Sequence, residues 1–360
     1  MMGNWQDDLA RLRERIDQTD RKILELLNVR AEIAREVGSV KKEHDLRVYV
    51  PEREAEIIQR LSSMNRGPFP PEGVATIFRE IISASISLEK PMRVSFLGPK
   101  ATFTQMACIK QFGESADLVP MINVTEVFES VERKDCEFGV VPIENSTEGV
   151  VSNTLDMFVE FNQSIIGEIM LEISHSLLSV TGDISHIETV YSHPHAIAQC
   201  RHWLEKNLKK AKVLHVESTA RAAELASEDP SAAAVAAEGA GKLYGLRIIK
   251  KNIQDNVYNL TRFIIIGKMH PGRTGKDKTS IIFSVKDEVG ALFKILEPFS
   301  KTGINLTKIE SRPVKKRAWE YLFFLDMEGH IKDEKVKNAL DGMRVFCAYF
   351  KILGSYPRAL

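Results

Sequence analysis

Residues 5–42 repeat apolar side chains at Leu9, Leu12, Ile16, Ile23, Leu26, Ile33, Val37 and Val40. That three-and-four spacing predicts one long helix with a continuous apolar stripe. Arg30 falls on the stripe between Leu26 and Ile33, where an unpaired guanidinium is costly to bury. Arg13 lies one residue off the stripe, Lys41 flanks its far end, and Arg53 opens a second helix. Taken singly, each reads equally well as surface charge. As a set they point to an anionic guest, because a bundle interior that keeps several cations needs one. The pocket would hold a small di-anion between helices.

A second constellation is made of hydroxyls at helix starts. A strand over Arg93–Leu97 turns at Gly98-Pro99 into a helix, with Thr102 and Gln105 spaced as a capping box. The same order recurs: strand 138–141 followed by PIENSTEG, and strand 189–191 followed by Ser192-His193-Pro194 and a helix through Trp203. Strand 213–216 follows, with Glu217-Ser218-Thr219 opening a further helix. Strand, hydroxyl-bearing turn and helix in repetition predict an open α/β sheet. In such a sheet anions bind at strand ends against helix N-termini. Any one hydroxyl can equally be an ordinary cap; the clustering is what suggests a cleft. His193 and His195 have no third ligand at a supporting spacing, so no metal is expected.

These groups need elements to hold them. Asn4 with Asp7 is a candidate cap for the first helix, a second helix starts at Pro51, and a third starts near Pro71. Three helices cannot cover so long a stripe within one chain, so pairing with a second copy is expected, as a homodimer or a dimer-based homo-oligomer. Residues 268–278 are polar and glycine-rich and read as a linker. Beyond them come strand 280–285, helix 290–301, strand 305–312, a turn at Lys315-Lys316, strand 320–327, helix 333–343 and strand 345–353, a βαββαβ ferredoxin-like order.

Bulk properties narrow the class. The chain has 360 residues, enough for two or three domains, with 49 Lys+Arg against 49 Asp+Glu. That balance argues against a nucleic-acid surface, and no apolar run is long enough to suggest a membrane span. The opening residues lack the apolar segment of a secretion signal. Cys108, Cys136, Cys200 and Cys347 are scattered, which argues against a disulfide framework and fits a reducing cytoplasm.

Over residues 5–89, LRERID, LLNVRAEIAREVGSVK, YVPEREAEI and REIISASISLE resemble the all-helical class of chorismate mutase. The resemblance implies a helical-bundle domain over 1–90 and an active site of Arg13, Arg30, Lys41, Arg53, Glu54, Ser85 and Glu89. It also implies that the Arg13 counterpart reaches the partner subunit's site. Val50 stands where the family usually has an acidic residue. Rearranging chorismate to prephenate needs no covalent catalyst. The enzyme holds the compact conformer and stabilises charge on the breaking ether oxygen. The arginines would grip carboxylates, and Lys41 and Glu89 would donate to the ether oxygen. Glu89 donates only when protonated, so the mutase rate is expected to fall as pH rises and Glu89→Gln to flatten the profile.

GPKATFTQMA, VVPIENSTEGVV, ISHSLL, SHPHAIAQC, ESTARAAELA and the run ending in Thr261-Arg262-Phe263 resemble prephenate dehydratase, in order. The resemblance implies a two-lobed α/β domain over 92–267, like periplasmic binding proteins, with substrate between the lobes. Thr261 is then the catalytic threonine, with Glu144, Asn145 and His195 at active-site positions. Thr102, Ser192, Ser218, Thr219, Arg262 and Phe263 would contact substrate, though strand alternation leaves Arg262 free to point outward. Two departures stand out. Lys100-Ala101 replaces an acidic residue and glycine, and His195 replaces a glutamine. His175 matches a family position and reads as a satisfied core histidine.

EVGALFKIL and NLTKIESRP resemble the ACT domain attached to prephenate dehydratases, here over 279–360. That resemblance implies phenylalanine as effector, held by Gly290, Ala291, Leu292, Asn305, Leu306, Glu310, Ser311 and Arg312. The expectation is a multi-domain bifunctional enzyme, with no cofactor, that takes chorismate through prephenate to phenylpyruvate under phenylalanine inhibition. Two alternatives remain: a dehydratase whose helices only dimerise, and a non-catalytic amino-acid sensor.

Overall fold

The computed structural model describes residues 5–256, 258–285, 288–313 and 321–359. Asn4, the Lys315-Lys316 turn and Glu320 lie outside the described residues. The chain divides into two compact units. One holds residues 1–50, 57–92 and 112–116; the other holds 51–56, 93–111 and 117–360.

Helix α1 (Trp5–Glu43) has acidic residues in its first turn and Lys41 and Lys42 in its last, the arrangement a helix dipole favours. Both α2 (Pro51–Met64) and α3 (Pro71–Glu89) begin with proline, whose missing N–H costs nothing there. The stripe predicted on α1 is present but bare: Ile16, Leu26 and Ile33 are each more than half exposed in the single chain. Where α1 meets α3 the approach is close at Gly38, because a Cβ there would fall 2.7 Å from Glu89 Cγ.

In the second unit, β1 (Arg93–Leu97), α4 (Phe103–Phe112), β2 (Asp117–Met121), α5 (Val124–Glu132), β3 (Phe138–Asn145), β4 (Gly149–Val150), α6 (Ser152–Glu160) and β5 (Ser164–Glu172) build a first lobe. A second lobe follows: β6 (Ser176–Ser179), β7 (Thr189–Ser192), α7 (Pro194–Gln199), α8 (Arg201–Asn207), β8 (Lys212–His215), α9 (Thr219–Glu228), β9 (Ala232–Ala236), α10 (Glu238–Tyr244) and β10 (Arg247–Lys250). The chain then returns to the first lobe as β11 (Leu260–Gly267), between β3 and β5. Among the described residues the first-lobe sheet runs β2-β1-β3-β11-β5 and the second β10-β6-β9-β7-β8. Strand β9 is all alanine and valine and buried throughout, so α9 can lie flat on it through Ala222, Ala223 and Ala226.

The C-terminal part is β12 (Asp277–Val285), α11 (Ala291–Thr302), β13 (Leu306–Pro313), β14 (Tyr321–Glu328), α12 (Glu334–Arg344) and β15 (Cys347–Pro357), in sheet order β13-β14-β12-β15. That is the ferredoxin-like arrangement the element order predicts. One face packs on α11 and α12 through Ile281, Phe283 and Met327. The other joins the first lobe's core through Ile282, Phe324 and Tyr356. At that junction β15 passes so near β5 that a Cβ on Gly354 would sit 2.0 Å from the Ile165 carbonyl oxygen. The linker reading of 268–278 needs correction at its end. Asp277 and Lys278 are buried strand residues, and Lys278 is tolerated there because its ammonium lies 2.7 Å from Glu168.

Candidate functional site

Two places gather the expected chemistry. The first is the α1–α3 face. Arg30 donates through Nη1 to Ser85 Oγ and to the Ile81 carbonyl at 3.4 Å, and burial lowers its pKa. Lys41 Nζ reaches Glu89 Oε2 at 3.2 Å and the Val48 carbonyl at 2.9 Å. Four expected residues, Arg30, Lys41, Ser85 and Glu89, are thus assembled on two helices. Arg13 is exposed on α1, and at 1.5 Å per residue it stands about 25 Å along the helix from Arg30. It cannot serve the same site within one chain. Arg53 opens α2, exposed and paired with Glu56 at 2.7 Å, and Glu54 beside it is buried.

The second place is a cleft of about 480 Å³ lined from both lobes. Thr102, Asn145, His195, Ser218, Thr219, Thr261 and Phe263 all border it. Ser218 caps α9 by accepting from the Arg221 N–H at 3.0 Å. The Thr102 capping box forms with a shift: Gln105 N–H bonds Thr102 Oγ1 at 3.4 Å, and Gln105 Oε1 accepts from Ala101 N–H at 2.5 Å. Ala101 holds φ +62, so the turn keeps a left-handed residue even without glycine, at a cost of about 1–2 kcal/mol.

The chemistry centres on Asn145 and Thr261, which face each other across β3 and β11. Asn145 Oδ1 accepts from Thr147 N–H at 2.9 Å, Thr147 Oγ1 at 2.6 Å and Glu148 N–H at 3.0 Å. Three donors fix the amide's orientation, so its Nδ2 must donate to Thr261 Oγ1, 2.7 Å away. The threonine oxygen is therefore an acceptor toward Asn145, and its own proton remains for a ligand.

The network extends beyond this pair. Asn145 Nδ2 also donates to Asn259 Oδ1 at 2.7 Å, and Asn259 Nδ2 to Gln199 Oε1 at 2.9 Å. Gln199 Nε2 then donates to Glu148 at 3.2 Å, and Glu148 faces His195 Nδ1 at 3.2 Å. Because Gln199 Oε1 is an acceptor, His175 Nε2 carries the proton in their 2.9 Å bond. Its Nδ1 is buried without a protein partner among the described residues. His175 therefore borders the cleft only half satisfied, where sequence reasoning expected a satisfied core histidine. Burial lowers the pKa of His175, and burial with His195 nearby lowers that of His193.

Three expected residues sit elsewhere. Ser192 is fully buried and gives its hydroxyl to the Val235 carbonyl at 2.6 Å, so it has none to offer a carboxylate. Glu144 is held by Lys308 and, at 3.3 Å, by Arg262. Arg262 points outward and is buried against the C-terminal sheet, 2.8 Å from Glu168 and 2.5 Å from Asp326. Neither borders the cleft. Glu148, Gln199 and Asn259 were missed. All three lie inside motifs already singled out, and turn chemistry and helix position masked the first two.

Of the expected effector residues, Gly290 holds φ +78 as the cap of α11, a conformation that glycine adopts without strain. A register shift at Thr307 puts Leu306 on the helix face of the sheet. Lys308, Glu310 and Arg312 then alternate onto the opposite face, where Arg312 meets Asp156 at 3.4 Å. The expected set is thus divided between two faces of one chain.

Comparison with known proteins matches residues 12–90 to the model of chorismate mutase type II, 94–271 to prephenate dehydratase and 279–343 to the ACT domain. The chain is 52% identical to a bifunctional chorismate mutase/prephenate dehydratase of Aquifex aeolicus, over 98% of this chain and 99% of that one. It is 30% identical to the Escherichia coli K12 protein of the same name, over 98% and 97%. A solved prephenate dehydratase of Arthrobacter aurescens in complex with L-Phe matches with TM-score 0.69 and 36% identity, covering 74% of this chain and 90% of that one. No helix among the described residues is long and apolar enough to cross a membrane.

Proposed function

From the premise that this chain belongs to the bifunctional chorismate mutase/prephenate dehydratase family, we propose how its residues divide the two reactions. The α1–α3 face carries the mutase step. Arg30 grips a chorismate carboxylate, Lys41 stabilises the ether oxygen as it takes on charge, and Ser85 and Glu89 complete the wall. The bare stripe of α1 is covered by a second copy, which brings Arg13 to its partner's site, with Arg53 and Glu54 assigned to the same reaction.

The cleft carries the dehydratase step. As the bond from the ring to its carboxylate breaks, that electron pair enters the ring and expels the ring hydroxyl, releasing carbon dioxide and hydroxide, which takes a proton from solvent to become water, and leaving an aromatic product. Thr261 keeps its proton and donates a positioned hydrogen bond to the departing oxygen, stabilising the charge that grows there. Asn145 fixes that proton's direction, and Thr102, Ser218 and Thr219 meet carboxylate at helix starts. The observation that carries this reading is the 2.7 Å bond from a fully oriented Asn145 amide to Thr261 Oγ1.

The partition 1–90, 92–267 and 279–360 is assigned to mutase, dehydratase and regulatory domain. The last binds phenylalanine, and the enzyme works in the cytoplasm. Supplying chorismate while following prephenate and phenylpyruvate, with and without phenylalanine, tests the two activities and their regulation. Both products, with the second suppressed by phenylalanine, are expected. Phenylpyruvate formed only from added prephenate would leave a dehydratase with a dimerising bundle, and neither product would leave a sensor.

A further inference from the structure

Register sets Asn145 opposite Thr261 and, one residue along, Glu144 opposite Arg262. Successive strand side chains point to opposite faces. One pair therefore borders the cleft while the next turns its back on it, toward the C-terminal sheet. The same two stretches of backbone carry both.

The outward pair enters a buried ionic cluster. Arg262 bonds Asp326 Oδ2 at 2.5 Å, Glu168 Oε2 at 2.8 Å and Tyr356 Oη at 3.0 Å. Lys278 lies 2.7 Å from Glu168, and Lys308 pairs with Glu144. The cations Arg262, Lys278 and Lys308 match the carboxylates Glu144, Glu168 and Asp326. Removing Lys308 leaves Glu144, about 32% exposed, with Arg262 at 3.3 Å as its remaining partner among those named, and the charge balance that holds this stretch of backbone is weakened. The β3–β11 register slips immediately after Arg262, so regular pairing breaks there and side chains help hold the ribbon's position.

We propose that Lys308, on β13 of the C-terminal sheet, is a positioning residue for the dehydratase reaction. By holding Glu144 it fixes the stretch of β3 that aims Asn145 at Thr261. The strand that bears Lys308 is the one bearing the expected effector residues Leu306, Glu310, Ser311 and Arg312. This inference rests on the cleft reading above.

The test uses the full-length protein with Lys308→Met, Lys308→Arg and the double variant Lys308→Met/Glu144→Gln. Prephenate dehydration is resolved into kcat and KM, and thermal melts check that each variant folds. Lys308→Met is expected to lower kcat about tenfold, the upper range for such coupling, with KM nearly unchanged. Lys308→Arg restores most of the loss by keeping the charge pair, and the double variant recovers part of it by removing the carboxylate that has lost one of its two cations. A folded Lys308→Met with the kcat of the unaltered chain overturns the proposal. So does a change in KM alone, or an arginine variant as slow as the methionine one. An unaltered chain that does not dehydrate prephenate overturns the cleft reading and this one together, and only in that case is the parent inactive.

Discussion

Replacing Thr261 with valine removes one hydroxyl and little else. Valine keeps the β-branched shape that β11 requires, and the position is buried beside the cleft. On the protein side the loss is one hydrogen bond. Asn145 Nδ2 forfeits its 2.7 Å acceptor but keeps Asn259 Oδ1 at 2.7 Å. The fold should therefore give up only about 1 kcal/mol. The reaction loses more, since the departing oxygen no longer meets an oriented donor. Removing such a donor typically costs about 10²–10³ in kcat, or about 2.7–4 kcal/mol. Substrate affinity should hardly change, because Thr102, Ser218 and Thr219 still border the cleft; the effect belongs to kcat and to kcat/KM equally. Stopped-flow conversion of prephenate to phenylpyruvate measures it, with Thr261→Ser, which keeps the hydroxyl, as the matched control. Should Thr261→Val run within about threefold of the parent, far short of the loss a missing donor causes, the hydroxyl is not the donor and the mechanism above is wrong.

Three further outcomes follow from other parts of the chain. Arg30→Ala should cut chorismate rearrangement by about a hundredfold or more, as loss of a charge clamp does, while sparing dehydration of added prephenate; paired assays on one preparation read both. Gly354→Ala drives a Cβ into the Ile165 carbonyl oxygen, a backbone neighbour that cannot yield cheaply, so calorimetry should record about 1–3 kcal/mol of lost stability. For Glu144, burial pushes the pKa up, but Lys308 and Arg262 more than reverse this and hold it below the ordinary glutamate range. A carboxylate so lowered contributes stability above its unfolded value of about 4.3, and that contribution is lost as pH falls through the folded value. Acid titration followed by circular dichroism should show no loss from this group near neutrality, and Lys308→Met should shift the acid transition to higher pH.

How much of this could be read without coordinates depends on how local each feature is. The long helix, the proline helix starts and the βαββαβ order were legible, because periodicity and capping act within a few residues. Arg30 stood out as well, since a cation on an apolar stripe is a local contradiction, and Lys41 stood beside it only as one of a set of cations flanking that stripe. The Lys100-Ala101 departure was visible, but not its result. Ala101 keeps the left-handed conformation, so the turn survives and carries the strain.

What stayed hidden was decided by partners far away in the chain. Asp277 and Lys278 read as linker because they are polar; they are strand because Glu168, more than a hundred residues earlier, neutralises the lysine. Ser192 looked like a carboxylate ligand until the Val235 carbonyl claimed its hydroxyl. Composition and spacing thus pointed to the helical bundle with its charged seam and to the repeated strand–turn–helix order, while Thr261 was singled out only by the resemblance to prephenate dehydratase. Tertiary structure alone decided that Thr261 meets Asn145 in the cleft while Arg262, its neighbour, turns away to the C-terminal sheet. Alternation along a strand guarantees that two adjacent residues part company, but only the register of β3 against β11, and the charges packed on each face, determine which side each one takes.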